Sequence, residues 1–354
     1  MKFRPKLMTW VLARMPHKNV EEACQVMRHY FPEAPTIPLL TSSRIRPGLV
    51  QGVPGLSIDK EGNELLYDLS GKESELAEFY ERYLSDNLDY FAIRLELEQS
   101  LYKLAEMFKE KPWPELKVVR FSSLGPYTFG LILKDKNGVS AFYNETMRDI
   151  LVKQFSMQLR WREKKIRELF PGVQTFIQIG EPSLGLFTSS VGAGSWDIIK
   201  NAINEVIERV EGISCVHCCD NFDWPLLMKT NIDVINFDAY KYGESMALYP
   251  DELKRFMERG GMIAWGIVPI AGGEDETPSS LVERMERLIQ LVADKGIDKK
   301  LLLELSWITP SCTTGSMSVE QAERVFAYTG EVSQRMREKY FSSIASEASP
   351  RERL

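Results

Sequence analysis

Three consecutive residues, His217-Cys218-Cys219, close the apolar run Gly212-Ile213-Ser214-Cys215-Val216. The chain has 354 residues but only three histidines. Side chains two apart on a strand share a face, so His217 and Cys219 can grip one ion. Zinc, a borderline-soft ion, accepts nitrogen and sulfur together. Three further residues have matching chemistry. Glu181 stands in Gly180-Glu181-Pro182, Asp238 in Asn236-Phe237-Asp238-Ala239-Tyr240, and Cys312 in Thr309-Pro310-Ser311-Cys312. His217, Cys219, Asp238 and Cys312 make a nitrogen, sulfur and oxygen donor set for tetrahedral zinc, in which one weak ligand can give way to a substrate. Each residue also has a plain structural alternative. Cys312 would be an inert loop thiol, Asp238 a helix cap or partner of Lys241, and Glu181 a turn residue. By alternation Cys218 faces the helices, and Cys215 lies deeper in the core. His17 and His29 are expected at the surface or as satisfied polar residues.

Strand-like runs alternating with amphipathic helices must position these residues. The expected strands are Leu7 to Ala13, Pro35 to Thr41, Leu116 to Ser122, Val173 to Ile179, Ile213 to Cys218, Val234 to Phe237, Met262 to Val268 and Leu301 to Ser306. Helices are expected near Val20 to Tyr30 with Asn19 as cap, across Ser74 to Lys111, and at Tyr143 to Leu169. Others follow at Trp196 to Val210, Pro250 to Arg259, Pro278 to Lys295 with Thr277 as cap, and Val319 to Lys339. Ser57 to Leu69 reads as a hairpin turning at Glu61-Gly62-Asn63, inserted after the second strand. Eight strands alternating with helices predict an α/β fold, a single (β/α)₈ TIM barrel over residues 1–341, with a polar tail at 342–354. A doubly wound sheet is the alternative, but no Gly-rich dinucleotide fingerprint follows the first run. In such a barrel chemistry sits at the C-terminal strand ends, where Glu181, His217, Cys219, Asp238 and Cys312 all fall.

Composition narrows the class. Hydrophobic residues make up 44% and charged residues 27%, as in a globular protein with a sizeable core. A net charge of −6 gives no reason to expect nucleic acid as partner. No run is long enough for a membrane span. The basic start, Lys2, Arg4 and Lys6, precedes an apolar run without a small-residue cleavage site, so no secretory leader is expected. Five cysteines, three of them within Cys215 to Cys219, are odd and clustered. That argues for a reducing compartment, expected to be the cytoplasm.

The chain resembles the catalytic barrel of the cobalamin-independent methionine synthase family, in a short single-barrel form, within the group that includes uroporphyrinogen decarboxylase-like barrels. Ile177-Gln178-Ile179-Gly180-Glu181-Pro182 is similar to that family's fourth-strand segment. Val216-His217-Cys218-Cys219 resembles its H-x-C zinc motif, Ile235-Asn236-Phe237-Asp238 its acidic-ligand segment, and Thr309-Pro310-Ser311-Cys312 the loop bearing its last zinc cysteine. Met15-Pro16-His17 and Gly125-Pro126-Tyr127-Thr128 fit weaker motifs. The resemblance implies Zn²⁺ held by His217, Cys219 and Cys312, with Asp238, shorter than the family's glutamate, as a fourth or labile ligand. Gly180 stands where the family has a substrate-contacting aspartate. Ala13-Arg14-Met15-Pro16 replaces a Gly-Ser-Phe-Pro segment.

The implied activity is zinc-dependent methyl transfer to a thiol substrate, with homocysteine as leading acceptor and methionine as product. The acceptor would react as a zinc-bound thiolate. One barrel leaves no room for the second barrel that the family uses with folate. The implied donor is therefore a corrinoid, as methylcobalamin or on a corrinoid protein. Glu181 and Asp238 are the expected catalytic carboxylates. Glu181, Arg14 and Trp265 are the expected substrate contacts, Glu181 taking the ammonium, Arg14 a carboxylate, and Trp265 (with Trp307) walling the pocket unless they pack in the core. Alternatives are corrinoid-dependent transfer to another thiol, a uroporphyrinogen decarboxylase-like enzyme using Arg14, Arg44 and Arg46, and a non-enzymatic zinc module.

Overall fold

A computed structural model describes residues 3–40, 48, 51–58, 65–187 and 193–341. Its strands are β1 (Arg14–Met15), β2 (Leu39–Leu40), β3 (Leu56–Ile58), β4 (Leu65–Tyr67), β5 (Val118–Leu124), β6 (Lys134–Asp135), β7 (Gln174–Gly180), β8 (Ile213–Cys218), β9 (Val234–Phe237), β10 (Met262–Val268) and β11 (Ser306–Pro310). Six of them form one curled parallel sheet in the order β11-β10-β9-β8-β7-β5. Every residue of β8 to β11 is buried, which is why these runs are largely apolar on both faces and carry no charged residue. Helices cover the outer face, and several start at side-chain caps. Asn19 accepts from the Glu21 and Glu22 amides, Asn144 from Met147, and Thr277 forms a capping box with Ser280.

The eight-strand expectation changes in three places. Leu7 to Ala13 and Pro35 to Thr41 do not form regular strands among the described residues. Thr9 bridges Ile308 on β11, Thr36 bridges Arg120 on β5, and Arg14–Met15 pairs with Leu39–Leu40. Pro5, Pro35 and Pro38 lack the amide a ladder needs, and Lys6 and Leu7 turn through positive φ (48° and 63°). The eighth run begins late. Lys299–Glu304 is a helix capped by Asp298, because Lys, Leu and Glu favour helix, and the strand starts at Ser306 with Trp307, Ile308 and Thr309. This shift sets Cys312 two residues beyond a strand end. Finally, Ser74 to Lys111 divides into helices Glu73–Leu84 and Gln99–Glu110. Leu56–Ile58 and Leu65–Tyr67 pair antiparallel, and Leu66–Tyr67 also meets Lys134–Asp135. The expected turn at residues 61–63, Arg44, Arg46 and the tail from 342 lie outside the described residues.

One side chain compensates for the missing ladders. Arg120 of β5 is fully buried inside the curled sheet. It donates to Val11 O at 3.1 Å, Thr36 Oγ1 at 2.6 Å and Gln178 Oε1 at 3.0 Å. Its guanidinium stacks 3.4 Å from the Trp10 ring centroid and 4.3 Å from that of Phe176. Burial pushes its pKa well down, and no carboxylate balances it. A backbone carbonyl, a hydroxyl, an amide oxygen and two π faces take that place. Among the described residues no helix is long and apolar enough to cross a membrane.

Candidate metal centre

His217 lies next to last in β8, its side chain buried on the inner face, while Cys218 turns to the helices. Across the sheet His217 is in register with Asn236 of β9, and Asn236 with Ala264 of β10. The His217 Nδ1 lies 2.6 Å from Asn236 Oδ1. The Asn236 amide nitrogen donates to Ala264 O and to Thr309 Oγ1, each at 3.0 Å. A carbonyl can only accept, so the amide has one consistent orientation, and Nδ1 of His217 must carry the proton. In the neutral ring the lone pair is then on Nε2, which faces Cys312. That is the tautomer a metal requires.

Cys219 follows β8 and Cys312 follows β11. One donor atom from each of His217, Cys219 and Cys312 lies within 4.8 Å of the other two, and Cys312 Sγ is 3.9 Å from His217 Nε2. Both cysteines are partly exposed. The Cys312 loop is fixed on two sides. Ser311 N donates to Val268 O at the end of β10, while Thr313 Oγ1 and Thr314 Oγ1 donate to Arg14 O at 2.9 and 3.3 Å. Gly266 permits this approach, because a Cβ there would meet the Phe237 carbonyl and lie 2.9 Å from Ser311 Cα. The two thiols shift each other in opposite directions. Donation from Cys219 holds Cys312 low, at about 7, and pushes Cys219 up to about 12.

Asp238 stands beside this cluster rather than in it. Its Oδ1 accepts from Lys241 N at 3.0 Å as the cap of Ala239–Tyr242, and Oδ2 lies 4.0 Å from Lys241 Nζ. Burial raises its pKa. The residue that orients His217 is Asn236, which sequence reasoning missed. Its signal was its inward alternation with Asp238, two residues on.

Glu181 is fully buried. Its two oxygens accept from Tyr127 N at 3.0 Å and Thr128 N at 2.7 Å, closing the start of helix Pro126–Ile132. The space a side chain at Gly125 would fill is taken by this carboxylate. Burial outweighs those donors and raises its pKa to about 7. Trp265 packs in the core. It is in register with Phe237, which pairs with Cys218, so it lies on the helix-facing side. It is fully buried, packs on Phe237 and donates to Ser306 Oγ at 2.9 Å. Trp307 points inward but packs against Phe3 and Phe176. Arg14 is exposed at the rim, its chain lying along the Cys312 loop. His17 is buried, its Nε2 3.3 Å from Glu323 Oε1 while Nδ1 has no partner among the described residues.

No family model and no curated protein matches the sequence. Solved structures do match. A protein assigned as a vitamin-B12 independent methionine synthase from Listeria monocytogenes is 12% identical over 90% of this chain and 85% of its own, with a TM-score of 0.54. A methyltransferase from Methanosarcina mazei is 12% identical over 92% and 94%, with a TM-score of 0.50. A B12-independent methionine synthase from Shewanella sp. W3-18-1, in complex with selenomethionine, is 17% identical over 67% of this chain and 66% of its own, with a TM-score of 0.49. At these identities the likeness is one of fold.

Proposed function

We propose that this protein is a zinc-dependent methyltransferase acting on a thiol. The observation that carries the reading is the convergence of His217 Nε2, with its lone pair free, on two partly exposed cysteines at the C-terminal rim. One nitrogen and two sulfurs suit zinc, and three protein ligands leave a position for a substrate. Methyltransferase and methionine synthase-like barrels among the structural neighbours support the same reading. Bound here, zinc would lower the pKa of an acceptor thiol, making its sulfur nucleophilic at neutral pH.

The chain's own residues do the rest. Asn236 keeps His217 in one tautomer and one orientation. The Val268 and Arg14 contacts hold Cys312 against Cys219. Glu181 ties the end of β7 to the start of the helix that follows β5. Asp238, beside the cluster, opposes ionisation of Cys312 and would balance part of a bound cation's charge. The acceptor's sulfur forms a bond to carbon as the donor–methyl bond breaks, and the thiol proton leaves to solvent. Homocysteine is the acceptor the sequence resemblance implies, and methylcobalamin, free or on a corrinoid protein, is the donor. Zinc-loaded protein given methylcobalamin and a panel of thiols should yield a thioether and cob(I)alamin. Native protein that binds no zinc, or a zinc-loaded form that methylates no thiol, overturns the proposal.

A further inference from the structure

Resting on the reading of His217, Cys219 and Cys312 as a zinc site, we infer that Cys219 and Cys312 are also its redox switch: they close into one reversible disulfide, and closing it releases the metal. Both thiols are free and partly exposed. They come from the ends of β8 and β11, with β9 and β10 between them in the sheet. Their sulfurs lie within 4.8 Å of each other, and the Cys219 thiol donates to Cys312.

Chain order alone would pair Cys219 with its neighbour Cys218, and the fold opposes that. Cys218 is fully buried on the helix-facing side of β8, and its thiol donates to Asp220 O at 3.7 Å. Successive side chains on a strand point to opposite faces, so a bond between these two would have to break the alternation. Cys24 on helix Val20–Tyr30 and Cys215 inside the sheet are buried too. A small oxidant therefore meets only the rim pair. The Cys312 side of that pair is anchored, because Ser311 N is tied to Val268 O and the Thr313 and Thr314 hydroxyls to Arg14 O. The Cys219 side is past the last residue of β8 and leads into exposed Asp220 and Asn221, so the small movement of closure falls there.

The step needs a two-electron oxidant, here a small disulfide R–S–S–R. One rim thiolate attacks a sulfur of that disulfide, giving a mixed disulfide and RS⁻. The second rim thiolate attacks the protein sulfur of the mixed disulfide and expels the other RS⁻. The two RS⁻ take up the protons the cysteines lost. Two protein thiols and one small disulfide thus become one protein disulfide and two small thiols. Neither sulfur is then a thiolate, the form zinc needs, and His217 is left as the cluster's remaining donor.

Oxidised glutathione on the metal-free full chain tests this. Thiols titrated in denaturant should fall from five per chain to three, and peptide mapping should find Cys219 joined to Cys312. Zinc per chain should drop from about one to almost none and return with dithiothreitol. Loading zinc first should slow the crosslink by about tenfold or more, since access to sulfur sets the rate. Cys218→Ala should still form the crosslink. Cys219→Ala should end as a glutathione adduct on Cys312. A Cys218–Cys219 bond, lasting rim adducts with no crosslink, or an oxidised chain that holds zinc as well as the reduced one overturns the switch and leaves the methyltransferase reading standing. A reduced chain that binds no zinc overturns both. A zinc-loaded chain that methylates no thiol overturns the methyltransferase reading alone.

Discussion

Five cysteines occupy two regions, and their surroundings separate them. Cys24, Cys215 and Cys218 are fully buried. Cys24 donates to Ser100 O and Cys218 to Asp220 O, and burial pushes both up to about 12. Cys215, inside the sheet near Arg120, is raised further by the same cause. At the rim Cys312 is lowered to about 7 because a second thiol donates to it. Cys218 and Cys219 are chain neighbours, yet one belongs to each region. Thiol chemistry here is set by face and neighbours rather than by residue type.

The largest effect should come from removing a rim sulfur. Cys312→Ala and Cys219→Ala should each take zinc from about one ion per chain to almost none by elemental analysis. Cys218→Ala and Cys215→Ala should retain it. Retention in Cys312→Ala would erase the distinction. A second contrast is kinetic. In metal-free protein, alkylation at Cys312 should rise as pH passes through about 7, since a lowered pKa supplies thiolate there. The buried three should stay unlabelled at that pH. Peptide mapping after a short iodoacetamide pulse reads this directly, and equal labelling of Cys218 would break the comparison.

Much of this was legible in the sequence because alternation carries over to faces. His217 inward, Cys218 outward and Cys215 deeper all follow from counting by two along one strand. The same rule, extended across the register to Phe237 and Trp265, sets Trp265 on the helix side, but register needs coordinates. Asn236 was hidden for the same reason, since its partners come from three other strands. The first two runs misled because they are apolar and buried, as strands are, while their prolines and the Lys6–Leu7 turn break the ladder. Leu301 to Ser306 misled because a short, largely apolar run reads alike as helix or strand.

The ring's orientation depends on Asn236, so Asn236→Leu should sharpen the rim's dependence on support. Both rim cysteines remain, but Nδ1 loses its acceptor and the tautomer is no longer fixed. Zinc affinity should fall by about 10- to 100-fold in a chelator competition, with full loading at excess zinc. Unchanged affinity would mean the sulfurs alone orient the site.

The smallest effect concerns the burial that raises the interior thiols and also raises Glu181. Its pKa moves from an ordinary 4.5 to about 7, so the folded chain holds a proton that the unfolded chain releases in that window. Stability from this group is thus fully present below about pH 4.5 and is lost as pH rises through about 7. Glu181→Gln mimics the protonated acid and keeps one acceptor for the Tyr127 and Thr128 amides. It should match the native protein near pH 5 and exceed it near pH 8, by about 1–3 kcal/mol, in urea titrations at both pH values. Glu181→Ala differs in kind. It leaves two amides unpaired and opens space beside Gly125, so it should lose about 2 kcal/mol or more at either pH. If Glu181→Gln is instead less stable than native near pH 8, the two amide donors outweigh burial. Glu181 would then be held as a carboxylate, and burial alone would not set the chemistry of this rim.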